Sequence, residues 1–259
     1  MISMINFSSL LVFLLVVVRI TGFFVMLPLF SYSTIPNLFK IGFMFFFGLI
    51  ITTTIGNIEL TFDGFYLFLL MKEALVGLAI GLFAYIILSA IQIAGGFIDF
   101  QMGFAIANVI DPQTGAQSPL TGQYFYIISL LFLLSVDGHH LLIDGMYYSY
   151  QAIPVDQLVS LSNQSLIDKV IYTFSEMFLT AFQLAIPIVG CLFLVDIALG
   201  MIARTVPQLN VFVVGLPLKI LVSFISILVF LALYIGIVKR LFTYMFDTLH
   251  GFMQILGGA

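Results

Sequence analysis

Apolar positions in this chain do not alternate; they run together. Long apolar stretches cover residues 7–30, 38–56, 65–95, 123–143, 170–202 and 211–246. Each exceeds the ~18 residues that mark a candidate membrane-spanning helix. Between them lie segments rich in turn-forming residues: SYSTIPN at 31–37, GNIELTFDG at 56–64, the polar stretch Asp99–Gln123, DGHH at 137–140, Ser149–Asp168 with Pro154, and RTVPQLN at 204–210. A membrane β-barrel would show short segments alternating apolar and polar, and continuous runs such as Ile41–Ile51 exclude it. The pattern predicts an all-α membrane protein with about six hydrophobic helical segments arranged as hairpins. RTVPQLN is predicted to be the tip of one hairpin.

Two stretches are too long for simple crossings. At 1.5 Å per residue, 65–98 and 170–203 would each reach about 50 Å, against ~30 Å of hydrocarbon. They must break, kink or rise out of the bilayer. Pro187 lacks an amide hydrogen and predicts a break or kink in the second. Glu73, Asp99, Glu176 and Asp196 would each be costly facing lipid, which predicts protein neighbours.

Composition sharpens this reading. The 259 residues are 62% hydrophobic and 8% charged, whereas soluble domains carry about a quarter charged residues. A net charge of −4 from eight bases and twelve acids leaves no basic patch, which argues against nucleic acid and a polybasic lipid site. The first apolar stretch has no basic residue before it and is interrupted by Arg19, so no cleaved signal peptide is expected. Cys191 is the one cysteine and reads as a packing residue. Lys40 and Arg204 favour one membrane side and Lys169, Lys239 and Arg240 the other, so loop charge does not set orientation.

Ionisable groups inside apolar runs are the usual pointers to function in a membrane protein. Here they are Arg19, Lys72, Glu73, Glu176, Asp196 and Lys219. Each has a structural reading, pairing across helices, and a transport reading. Asp196, nine residues after Pro187, is the strongest candidate for proton coupling. Asp196 and Arg204 sit about 80° out of alignment on an ideal helix, so their partners are expected elsewhere. Asp137, His139, His140 and Asp144 superficially suggest a metal, but adjacent histidines point about 100° apart on a helix and no HExxH motif is present. No catalytic residue, metal or cofactor is expected, and no phosphate-binding loop appears.

Gly77 and Gly81 lie one turn apart and predict close helix packing. Gly95, Gly96 and Gly103 surround Asp99 and Gln101 and precede NVIDPQTGAQSP, which holds residues suited to irregular backbone. Such backbone at membrane depth must be buried in protein or line an aqueous cavity. Outside the bilayer it would be an ordinary solvent loop, and spacing alone leaves both readings open.

RITGFFVMLPLFSYSTIPNLFKIG at 19–42, GGFIDFQMGFAIANVIDP at 95–112, DGHHLLIDG at 137–145 and RTVPQLNVFVVGLPLK at 204–219 together resemble the FliR family. That family includes the equivalent export subunit of injectisomes. The resemblance runs in order from near residue 8 to about 245. One departure is Gly96, where family members often carry an acid.

The resemblance implies an export-gate subunit in the bacterial inner membrane, at the flagellar basal body. It would assemble with FliP-like and FliQ-like membrane subunits and an FlhB-like switch protein, contact membrane lipid, and pass unfolded flagellar substrates. Residues 1–165 would form a FliP-like helical portion and 166–259 a FliQ-like hairpin. The cytoplasmic tip would contain Arg204, Pro207, Gln208 and Asn210. The pore plug would contain Gly103, Phe104, Asn108, Asp111, Pro112, Gly115, Pro119 and Gly122, with Gly103, Gly115 and Gly122 giving backbone freedom. Arg19, Glu73, Gly77, Gly81, Asp99, Gln101, Pro187 and Asp196 would be polar or packing positions. The alternatives are a small-solute secondary transporter and a virulence injectisome subunit.

Overall fold

The structure, a computed structural model, describes residues 7–27, 30, 35–56, 58–104, 119–159, 164–206, 208 and 210–258. Among these are seven helices: α1 Phe7–Met26, α2 Asn37–Ile55, α3 Gly64–Met102, α4 Leu120–Ser135, α5 Gly138–Ala152, α6 Gln164–Thr205 and α7 Val211–Gly257. By length and composition, α1, α2, α3, α6 and α7 can each cross a membrane, and α4 with α5 supplies a sixth crossing if the pair counts as one broken span. This agrees with the all-α class and the expected number of segments.

One feature differs from the hydropathy pattern. The apolar stretch 123–143 is not one helix, because the chain breaks at Val136 and Asp137. Asp137 adopts φ 56°, a left-handed conformation in which Asp is tolerated better than most residues. Hydropathy cannot detect such a turn. Pro187 lies inside α6, which is helical over 42 residues. Proline removes one amide donor there and leaves the carbonyl of Gln183 without its usual partner.

The chain folds as two compact units, residues 1–87, 137–174 and 243–259 in the first and 88–136 and 175–242 in the second. In the first, Leu11, Leu15, Val16, Ile20 and Phe23 form a buried stripe on α1. Gly77 and Gly81 of α3 receive that helix: a Cβ on Gly77 would stand 2.1 Å from the Arg19 carbonyl oxygen, and one on Gly81 2.7 Å from that of Phe23. Small residues thus set the approach of the two backbones. Phe24 of α1 packs edge-on against Phe43 of α2, with ring centroids 5.4 Å apart. Tyr172 and Tyr244 meet across α6 and α7 at 6.3 Å.

In the second unit, Ile91, Ala94, Ile98 and Met102 form the buried stripe of α3. The Tyr234 hydroxyl of α7 donates to the Phe125 carbonyl of α4 at 2.7 Å and lies 2.5 Å from Ser129 Oγ. Helices α6 and α7 form an antiparallel hairpin, as the five residues between them require. Asn210 starts α7, its side-chain Oδ1 accepting from the Val213 amide at 3.4 Å. Arg204, Gln208 and Asn210 are exposed, and Pro207 lies outside the described residues.

Candidate functional site

The first unit contains a charged node closed to solvent. Arg19 and Glu73 are both 0% exposed. Arg19 Nε donates to Glu73 Oε2 and Nη2 to Oε1 at 2.8 Å, a bidentate pair. Nη2 also donates to the Ile153 carbonyl at 2.8 Å, and Nη1 to the Ser149 carbonyl and hydroxyl at 2.8 and 3.3 Å. All five guanidinium hydrogens therefore have acceptors. Lys72 lies 2.5 Å from Glu73 Oε1 and donates to the Pro154 carbonyl at 2.8 Å. Two cations thus share one carboxylate and the carbonyls leaving α5, whose C-terminal dipole favours positive charge. The Tyr150 ring covers Arg19 at 4.2 Å. Every group is held by protein, so this geometry supports the pairing reading for Arg19, Lys72 and Glu73.

The second unit contains a collar around the two chain positions that flank residues 105–118. The end of α3 is closed by a Schellman motif. The Phe104 amide donates to the Asp99 carbonyl at 3.0 Å, the Gly103 amide to that of Phe100 at 3.2 Å, and Gly103 has φ 90°. The start of α4 is held by the same aspartate. Its carboxylate accepts from the Thr121 amide at 3.1 Å and from the Thr121 hydroxyl. Pro119 at the N-cap supplies no side-chain cap, so Asp99 satisfies an otherwise orphaned amide and complements the helix dipole.

Glycine fixes the same crossing. A Cβ on Gly95 would stand 2.1 Å from the Gly122 Cα, while one on Gly96 meets only Pro119 Cγ at 3.4 Å. Gly122 lies inside α4, where its missing Cβ permits this close approach. At the rim, Gln101 Nε2 donates to Asp196 Oδ2 at 2.7 Å, and Lys219 Nζ lies 2.9 Å from Asp196 Oδ1. Asp196 therefore pairs with Lys219, not with Arg204. Asn108, Asp111, Pro112 and Gly115 lie outside the described residues.

Of the remaining candidates, Glu176 is half-buried on α6. Pro187 lines a small gap with Phe125 and Tyr234. Asp137, His139 and His140 bring donor atoms within 4.8 Å of one another, and His140 Nδ1 lies 3.6 Å from Asp137. Sequence reasoning missed Thr121 and Ser149, which are ordinary polar residues until folding brings Asp99 and Arg19 to them.

The long apolar helices and the internally paired charges define a polytopic helical membrane protein. Comparison with known proteins narrows the class: the profile of the bacterial export proteins, family 1, matches residues 10–245, and the chain belongs to that family. It is 53% identical over 247 residues to the flagellar biosynthetic protein FliR of Bacillus subtilis (strain 168), covering 95% of each chain. It is 28% identical over 223 residues to the protein of that name from Escherichia coli (strain K12), covering 86% of this chain and 85% of the relative. The Yop proteins translocation protein T of Yersinia pestis is 30% identical over 226 residues, covering 85% of this chain and 86% of the relative.

Proposed function

We propose that this chain completes the flagellar protein export gate in the cytoplasmic membrane, joined to FliP-like and FliQ-like subunits. At the coarser level it is a subunit of a type III export apparatus, as its family and its near full-length likeness to FliR and Yop translocation proteins indicate. The observation that carries the assembled gate is the apolar face of α6. Large side chains stay exposed from Ile167 to Ile202, which is about 53 Å of helix at 1.5 Å per residue, against ~30 Å of hydrocarbon. Lipid alone cannot cover it. Neighbouring helical subunits can, with residues 1–165 acting as the FliP-like portion and 166–259 as the FliQ-like hairpin.

In this reading the chain is a conduit and carries no catalysis of its own. Residues 104–122 help plug the resting channel, apolar side chains exclude water and ions, and an FlhB-like protein acts from the cytoplasmic side where the 204–210 tip lies. The higher identity to a flagellar relative than to the Yersinia protein favours flagellar over injectisome service. The test is intact-complex mass spectrometry of tagged chain, coexpressed with neighbouring export genes and extracted in mild detergent. A defined complex with FliP-like and FliQ-like chains is expected. A stable, partner-free monomer or homodimer would refute the gate and favour a solute transporter.

A further inference from the structure

The last turn of α3 has to be placed against the α6–α7 hairpin, and apolar contact alone places it poorly. Within a membrane, lipid tails are as apolar as leucine, so helices in apolar contact have little preference for one register over the next. A hydrogen-bonded carboxylate has a strong one, because an unpaired charge there is expensive.

Asp196 meets that need. It projects from α6 and takes partners from two other helices: Gln101 of α3 at 2.7 Å and Lys219 of α7 at 2.9 and 3.0 Å. The lysine pins one strand of the hairpin to the other. The glutamine carries that fixed point to α3 one residue before its final helical position. Two residues further on, a Cβ on Gly103 would stand 2.6 Å from Leu216 Cδ2 of α7, so the helix end rests directly on the hairpin. The neighbouring Asp99 is engaged with Thr121, and the two acids therefore face different tasks: one starts α4, the other locates α3.

We propose that Gln101, Asp196 and Lys219 form a clasp that sets the register of the α3 terminus on the α6–α7 hairpin, making all three positioning residues for export. This inference rests on the export reading above. It assigns Asp196 a geometric role in place of proton carriage, with the charge serving the contact.

The test uses the full chain in its native complex, reading secreted flagellar protein alongside recovery of the complex. Asp196→Asn and Lys219→Met should each lower export about tenfold, the size of coupling expected between contacting residues. The double exchange Asp196→Lys with Lys219→Asp should restore most of it, because the Gln101 amide can turn its oxygen toward the relocated ammonium. A proton carrier would not survive that exchange, so an export-dead exchange variant in a recovered complex overturns the clasp. If the charge variants prevent assembly, Gln101→Leu decides, since it leaves the ion pair intact. Reduced export with normal complex recovery is expected, and wild-type export overturns the proposal. Deleting the whole gene controls for the underlying reading: export that persists without the chain refutes the export function itself, whereas failure of the clasp alone leaves that deletion export-dead.

Discussion

At the scale of single residues, Arg19 and Glu73 show how a charge is retained where hydropathy forbids it. Removing one partner of a buried, hydrogen-bonded pair strands the other, at a cost of about 3–5 kcal/mol. The two truncations are not equivalent. Arg19→Ala leaves Glu73 with Lys72 at 2.5 Å, whereas Glu73→Ala leaves two cations side by side with neutral partners alone, the carbonyls, the Ser149 hydroxyl and a tyrosine face. Thermal unfolding of the purified complex should rank Glu73→Ala as the more destabilised, and the reverse order would show that Lys72 does not share the carboxylate. The sequence displays these residues as misplaced charges and no more. Their partners lie 54, 130 and 134 positions away, distances at which helical periodicity carries no information. The same limit hides Thr121 from any reading of Asp99.

At the scale of elements, glycine positions were the most readable feature, because a small residue on a helix matters only where another backbone approaches. Gly77 and Gly81 fall at that spacing and do meet α1. The adjacent Gly95 and Gly96 could not be told apart by spacing, yet they differ sharply in the fold. Gly95→Ala drives a methyl into the Gly122 backbone, with an overpacking cost of about 1–3 kcal/mol, while Gly96→Ala needs only a slight shift of a proline ring. Melting temperatures of the two variants should separate clearly, with Gly96→Ala near wild type; equal behaviour would mean that α3 and α4 do not cross there. Helix existence was legible from the apolar runs. The break at Val136 and Asp137 was marked only by the turn-forming residues of DGHH, since a left-handed aspartate between two apolar helices leaves the hydropathy trace intact.

At the scale of the whole molecule, the resemblance in four ordered segments gave the family that full-length comparison confirms. Contacts made by Asp99, Gly95, Gly122 and Gly103 hold both described flanks of residues 105–118, where the proposed plug would be attached. Deleting 110–116 should therefore leave the chain assembled and raise ion leakage through the membrane in cells or proteoliposomes; an unchanged leak would remove the plug role.

The apolar length of α6 also bears on how cells handle this chain. If the chain is a gate subunit as proposed, a copy that has not met its neighbours leaves part of that apolar face longer than the hydrocarbon can cover. On the proposed gate reading, the abundance of the chain would then follow the supply of its neighbouring subunits more than its own rate of synthesis.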